Sequence, residues 1–506
     1  MLPKAKGNWT KEEARHLLNR AGFGGSPDEI ATFYRLGREK AVDFLLNPKE
    51  PIEELAKPEW ADLENAMEEV RENFMQRREM MSSMKGKTPE EVAKVRRATL
   101  KERQKQNRRR GLEAQSWWFR RMLVTKAPLR EKMTLFWHDH FATSIKKVKH
   151  PVLLMKQNDL FRDHAFGSFR ELTQSIVRDP AMMLYLDTQK SSKSNPNENF
   201  AREVMELFTL GEGNYSENDV KEAARAFTGF QLNRLNGNVV QQVGAWDGGE
   251  KRIFGKEGEF NGRDVVNLIF EKDACAKFMV GKLWEFFAYE SPVDSALEDL
   301  ARIFRKANYE VKPVLREIFL SEEFYGERTM SNQIKCPVQY LVQLLKEMEM
   351  DEAPTAFPIT GQVQLGQVLF MPPNVAGWDW GKAWVNTNTL LTRYNLAGSL
   401  IKGSSGENMR GRAGIGSMLG TNRRRSMAGG GSKKPEFAKI ASAEERNETV
   451  KLVDSLIDRF FCVEIPAKAR ASFIAYANSK KDVSFTDKEL GELCHLMLST
   501  PYYQLC

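Results

Sequence analysis

Apolar residues recur along this chain mostly at spacings of three and four, the pattern of helices with one buried face. Thr10 and Glu13 form a capping box for a helix that ends near Gly22, and Ser26, Pro27 and Glu29 open a second at once. Residues 60–110 hold almost no Pro or Gly and are rich in Glu, Lys, Arg, Met and Ala. They predict one or two long helices forming an arm or hairpin. Further helices are expected at Arg130–Phe141, Lys156–Ile176, Asn197–Leu210 and Glu217–Phe227, then from Gly262 to Leu345. A helical tail follows at Ala443–Phe461, Ala467–Asn478 and Thr486–Leu498.

The pattern breaks twice. Between 230 and 260, the turn signals Leu235-Asn236-Gly237-Asn238 and Asp247-Gly248-Gly249 flank short pieces, Val239-Val240 and Arg252-Ile253-Phe254, which predicts a small β-ribbon. Residues 403–435 are rich in Gly, Ser and Arg without periodicity and predict a flexible loop. The expected fold is all-α: a large helical domain with a small inserted β-ribbon and a long basic helical arm. By segment, 1–59 gives N-terminal helices of the core and 60–116 the arm. Residues 117–402 form the main core with the ribbon at 230–260, 403–435 the loop, and 436–506 C-terminal helices packing on the core.

Composition narrows the class. The 506 residues are 41% hydrophobic and 28% charged, as in a soluble globular protein. No run approaches the roughly 18 apolar residues that span a bilayer. No secretory leader is visible, so the cytoplasm is the default expectation, with export alongside a partner left open. The five cysteines form no CxxC pair, which argues against a disulfide framework or a cysteine zinc site. The net charge of +8 is local: Lys85–Lys126 holds 14 Lys and Arg against 4 Glu. Read as a nucleic-acid site, Arg96, Arg97, Arg103 and Arg108 to Arg110 would meet phosphates while Trp117 and Trp118 stack on bases. A nucleic acid or other anionic polymer is therefore a candidate partner for residues 85–126. A solvated helix face is the blander reading, and charge runs favour it.

Three stretches could carry chemistry. In Asn195–Phe208, helical spacing puts Phe200, Val204, Leu207 and Phe208 on one face. Glu198, Asn199, Arg202, Glu203 and Glu206 fill the other, with Asn197 at the start. Three carboxylates there could bind a metal or act as acid and base. The plain reading has Asn195 cap the helix, Glu198 close the box, and Arg202 pair with Glu206. The second stretch is Phe136–Phe141, where His138 and His140 would share a metal in extended backbone but diverge in a helix. Two satisfied core histidines is the favoured reading. The third is Met371–Trp384, a Pro/Gly-rich loop with three tryptophans that either plugs the core or walls a pocket through Asn374 and Trp378. No tightly held metal is expected. Were one bound, His138, His140, Glu198 and Glu203 are its candidate ligands.

The string NENFAREVMELFTLGEGNYSENDVKEAARAFTGF resembles the signature of the bacterial domain-of-unknown-function 1800 family. So do ARHLLNRAGFG, FWHDHFATS, the Asp179–Asp187 segment, and PPNVAGW before NTNTLLTRYN, from about Trp9 to Ile401. The resemblance assigns no chemistry. It implies a partner, because the family's genes are often paired with those of a secreted sulfatase- or phosphatase-like family. The family pattern at the ribbon is His-Asp-x-Gly-x-Lys, whereas this chain has Trp246 before Asp247, with Lys251 following.

Two functions follow as expectations. One is a binding or assembly protein working with a sulfatase- or phosphatase-like partner. The other is a hydrolase-like enzyme with its site between the 136–141 segment and the 197–208 helix. It would use His138, His140, Glu198, Arg202, Glu203 and Glu206, with Asn197, Asn199, Asp247, Lys251, Asn374 and Trp378 in binding. No nucleophile, phosphate-loop or dinucleotide motif accompanies these residues.

Overall fold

The structure, a computed structural model, describes residues 1–48, 55–84, 86, 88–233, 238–354, 356–403, 434–480 and 483–506. It is helical nearly throughout, as the periodicity implies. Both N-terminal capping boxes form, Thr10 with Glu13 and Ser26 with Glu29, and start helices Lys11–Ala21 and Pro27–Leu36. The basic region is a hairpin of Leu63–Ser83 and the 36-residue helix Pro89–Val124. The second helix changes character at Gly111, beyond which Ala114, Gln115, Trp117, Trp118 and Phe119 are buried.

That burial corrects one expectation. Trp117 and Trp118 are 6% and 0% exposed, so neither can stack on a base beside the arginines. The stretch expected as one helix at Lys156–Ile176 is two, Pro151–Asp163 and Phe169–Ile176. The ribbon is also two. Phe230–Leu232 pairs antiparallel with Val239–Gln241, and Lys251–Ile253 pairs with Lys256–Gly258. Asp247-Gly248-Gly249 is not the turn of either; the second ribbon turns at Phe254-Gly255, both at positive φ as a tight hairpin requires. Residues 235–237 of the other turn signal, and 404–433 of the Gly/Ser/Arg stretch, lie outside the described residues.

One hydrophobic core runs from Leu2 to Tyr503. The C-terminal helices belong to it: the Tyr503 hydroxyl donates to Glu347 at 2.6 Å, and Arg393 donates to Gln504 at 3.0 Å. No helix among the described residues is long and apolar enough to cross a membrane.

Candidate functional site

The His138-Asp139-His140 segment ends the helix Pro128–His140, so the two histidines point to different neighbours. His138 is 1% exposed and accepts a hydrogen bond on Nε2 from the Phe370 amide at 3.1 Å. Trp118, Phe161, Phe370 and Trp378 surround its ring. Burial lowers its pKa to about 3, so the ring is neutral with its proton on Nδ1. His140 has the opposite tautomer, donating from Nε2 to the Phe208 carbonyl at 2.9 Å. That carbonyl lies in the π-helical turn Glu206–Leu210 that closes the helix Glu198–Met205, where carbonyls lack intrahelical donors. Burial, then the charge of Lys282, holds His140 well below the usual histidine range.

Asp139, between them, is a residue that sequence reasoning passed over. One carboxylate oxygen accepts the Trp378 amide at 2.7 Å and the other the Trp380 indole N–H at 2.9 Å. Burial raises its pKa to about 6, against the lowering effect of those two donors. Gly377 passes directly over the carboxylate at φ +87, with no room for a side chain. Asp139 therefore pins the tryptophan loop. Trp378 is 5% exposed and packs with Cys336 and Trp384 as a plug, not as an open pocket wall. Asn374 is exposed, and its side-chain oxygen closes a local turn on the Ala376 amide at 2.8 Å.

Two turns earlier on the same helix, Glu131 is 1% exposed and meets three donor side chains. Arg121 Nε and Arg162 Nε each reach one of its oxygens at 2.6 Å, and the Trp118 indole reaches the other at 3.0 Å. Burial alone would raise this carboxyl, but Arg162 and Arg121 bring it down to about 2.

The carboxylate helix Glu198–Met205 is a surface element. Asn197, and not Asn195, is its cap: the Asn197 side chain accepts from Phe200 N and donates to the Leu186 carbonyl at 2.8 Å. Glu198 and Asn199 are exposed. Arg202 does not pair with Glu206 but makes a two-pronged bond to Glu217, at 2.6 and 2.8 Å, which raises its pKa further. Glu206 instead accepts the Tyr215 hydroxyl. Burial, then Glu206, lifts Tyr215 to about 12. Glu203 is half-buried and makes no hydrogen bond to a described residue. Burial first, then neighbouring Glu206, raises its pKa.

The ribbon residues form a separate cluster. Arg225 grips Asp247 at 2.7 and 3.2 Å and Glu222 at 2.8 Å. Lys251 is 1% exposed, donates to the Gly249 carbonyl at 2.7 Å, and lies 5.5 Å from the Trp246 ring centre. Trp246, where the family pattern has histidine, is thus a cation–π cover for a buried ammonium. This cluster reaches the cap of the carboxylate helix through backbone, since Lys193 N bonds Ala245 O and Gly229 N bonds Ser191 O. An open depression beside Tyr215 is lined by Asn214, Ser216, Asn218, Asp219, Arg252 and Lys272.

The expected residues therefore fall into three groups that do not converge. His138 and His140 are spent on backbone groups in the core, Glu198 faces water, and Asp247 and Lys251 are held in the ribbon. Among the described residues, no three His, Cys, Asp or Glu side chains come together to hold a metal. The four ligands His138, His140, Glu198 and Glu203 are thus not brought together. What remains chemically open is Glu203, beside the bonded pair Glu206 and Tyr215. Tyr215 lies within the family-like string but sequence reasoning does not single it out; its closeness to the carboxylates comes from the loop that turns between Gly211 and Ser216.

No curated protein matches this chain, and no solved structure does. A family model does, over residues 16–505, which takes in the C-terminal helices that the motifs up to Ile401 had left aside. The chain belongs to the family described as protein of unknown function, DUF1800.

Proposed function

We propose that this is a binding or assembly protein that works with a sulfatase- or phosphatase-like partner. The observation that supports it most is the use made of the two histidines. His138 spends its basic Nε2 on the Phe370 amide, and His140 bonds the Phe208 carbonyl through Nε2 while its basic Nδ1 is buried away from solvent, so neither ring is presented to a nucleophile or water. The carboxylates at Glu198, Glu203 and Glu206 lie on a helix at the surface, where a partner would meet them together with Asn199 and the Arg202–Glu217 pair. The partner class rests on the family resemblance. A partner of the secreted kind would draw this chain out of the cytoplasm with it, which cell fractionation would reveal.

The test is association of the purified full-length protein with a sulfatase- or phosphatase-like protein encoded beside it, read by co-elution. A complex that Glu198→Lys with Asn199→Lys weakens supports the proposal. Absence of any complex at micromolar concentration counts against it.

One observation favours the enzyme reading: Glu203 has a raised pKa and a free carboxylate beside Glu206 and Tyr215. In that reading Glu203 is the acid or base and the histidines take no part. Turnover of phosphate or sulfate esters by the protein alone, abolished in Glu203→Gln with folding intact, would move the balance to it.

A further inference from the structure

The outer face of the Pro89–Val124 helix carries a row of cations that the contacts above do not use. Lys94, Arg97, Lys101 and Lys105 follow at spacings of three and four, so they fall on one stripe, and Arg108, which has a contact of its own, continues it. All are exposed. At about 1.5 Å of rise per residue the row is about 20 Å long. The hairpin contact lies on the other side of the helix, where Gln106 and Arg110 both reach Glu69, at 3.0 and 2.6 Å. Lys105 has a loose surface contact with Glu102 at 3.7 Å. Lys94, Arg97 and Lys101 have no acidic partner among the described residues. Like charges at these spacings destabilise the helix that bears them, so the row works against its own fold unless an anion meets it.

We propose that this stripe binds the phosphate backbone of a nucleic-acid duplex without reading its sequence. A single file of cations on a straight helix complements a linear polyanion. A planar anionic membrane fits less well. A plane meets a single row of cations along one line only, and the stripe offers no large apolar side chain to insert beside it. A single strand fits less well too. The stripe has no aromatic residue, and Trp117 and Trp118 are inside the core, so unpaired bases find nothing to stack on. This inference goes beyond the proposed protein partner and does not depend on it.

The test is fluorescence anisotropy of the full-length protein with a short mixed-sequence DNA duplex between about 50 and 200 mM salt. Four to five phosphate contacts predict a log–log salt slope of about −4. Arg97→Glu with Lys101→Glu, both at solvated positions, should cost at least about tenfold in affinity and flatten the slope by about 2. Lys468→Glu with Lys488→Glu makes the same change in net charge on the C-terminal helices and should leave the slope unchanged. Equal losses in the two double variants would overturn the proposal. So would an unchanged affinity in the first, or tighter binding to single strands or to anionic vesicles than to duplex.

Discussion

The Pro128–His140 helix carries Glu131, His138, Asp139 and His140 in a segment buried almost throughout, whereas Glu198–Met205 carries Glu198, Arg202 and Glu203 on a face reached by water. Both read in sequence as dense chemistry at helical spacing. In the first, the charged and ring groups meet specific partners in a dry environment: two guanidiniums and an indole on Glu131, an amide on His138, two N–H donors on Asp139, with the Trp137 indole N–H and His140 Nδ1 left unpartnered among the described residues. In the second, the strongest contact is an ion pair whose side chains are 34% and 67% exposed. The cost of losing a polar side chain follows what is left behind, not how reactive the side chain looks.

The largest effect is expected at Glu131. Glu131→Ala takes the buried carboxylate away from Arg121 and Arg162, leaving Arg162 only its 3.2 Å contact with the more exposed Asp159 for counter-charge, and should destabilise the fold by about 3–5 kcal/mol, measured by denaturant unfolding. A loss under about 1 kcal/mol would erase the contrast between the two helices.

Asp139→Ala should come next, at about 2–3 kcal/mol, because it strands the Trp378 amide and the Trp380 indole. Hydrogen exchange should rise across residues 371–384 before it rises elsewhere. The same residue sharpens the comparison through pH. His138, with a folded pKa of about 3, binds fewer protons folded than unfolded below about pH 6.5, so it loses stability on acidification. Asp139 is raised to about 6, binds more protons folded than unfolded between about pH 4 and 6, and gains stability on acidification. The two oppose each other. Asp139→Asn removes the second contribution, so its stability should fall more steeply than wild type from pH 6 to 4, by up to about 1.4 kcal/mol per pH unit. A parallel profile would show that the carboxylate is not buried.

On the outer helix the effects should be small. Arg202→Ala is expected to change stability by no more than about 1 kcal/mol, and less in high salt, because its pair is solvated. An effect approaching that of Glu131→Ala would mean that the carboxylate helix is an internal site after all.

Much of this was legible from local signals. The capping residues Thr10, Ser26 and Thr486 start helices in the expected places, and Pro128–His140 is helical as its apolar spacing implies. The features that escaped are those that depend on distant partners. Nothing near Glu131 announces Arg162, and nothing near Asp139 announces a loop some 240 residues away. Trp117 and Trp118 adjoin an arginine run in sequence, but the helix enters the core at Gly111 and buries them. Asp247-Gly248-Gly249 looks like a hairpin turn, but Arg225 claims its aspartate, and the turn falls to Phe254, a residue type that seldom takes positive φ. For the site, the residue types were legible and their grouping was not, since helical periodicity tells which face a side chain shares but not what covers that face.

Ring titration by NMR on histidine-labelled full-length protein decides whether the two histidines are structural. With both rings held neutral by burial, neither His138 nor His140 should take up a proton between pH 5 and 8, a range that spans the ordinary histidine pKa of about 6.5. Assignment through His138→Gln and His140→Gln identifies the two signals among the six histidines. If either ring titrates with a midpoint near 6.5, it is solvated and free to act as a base, and the account is contradicted.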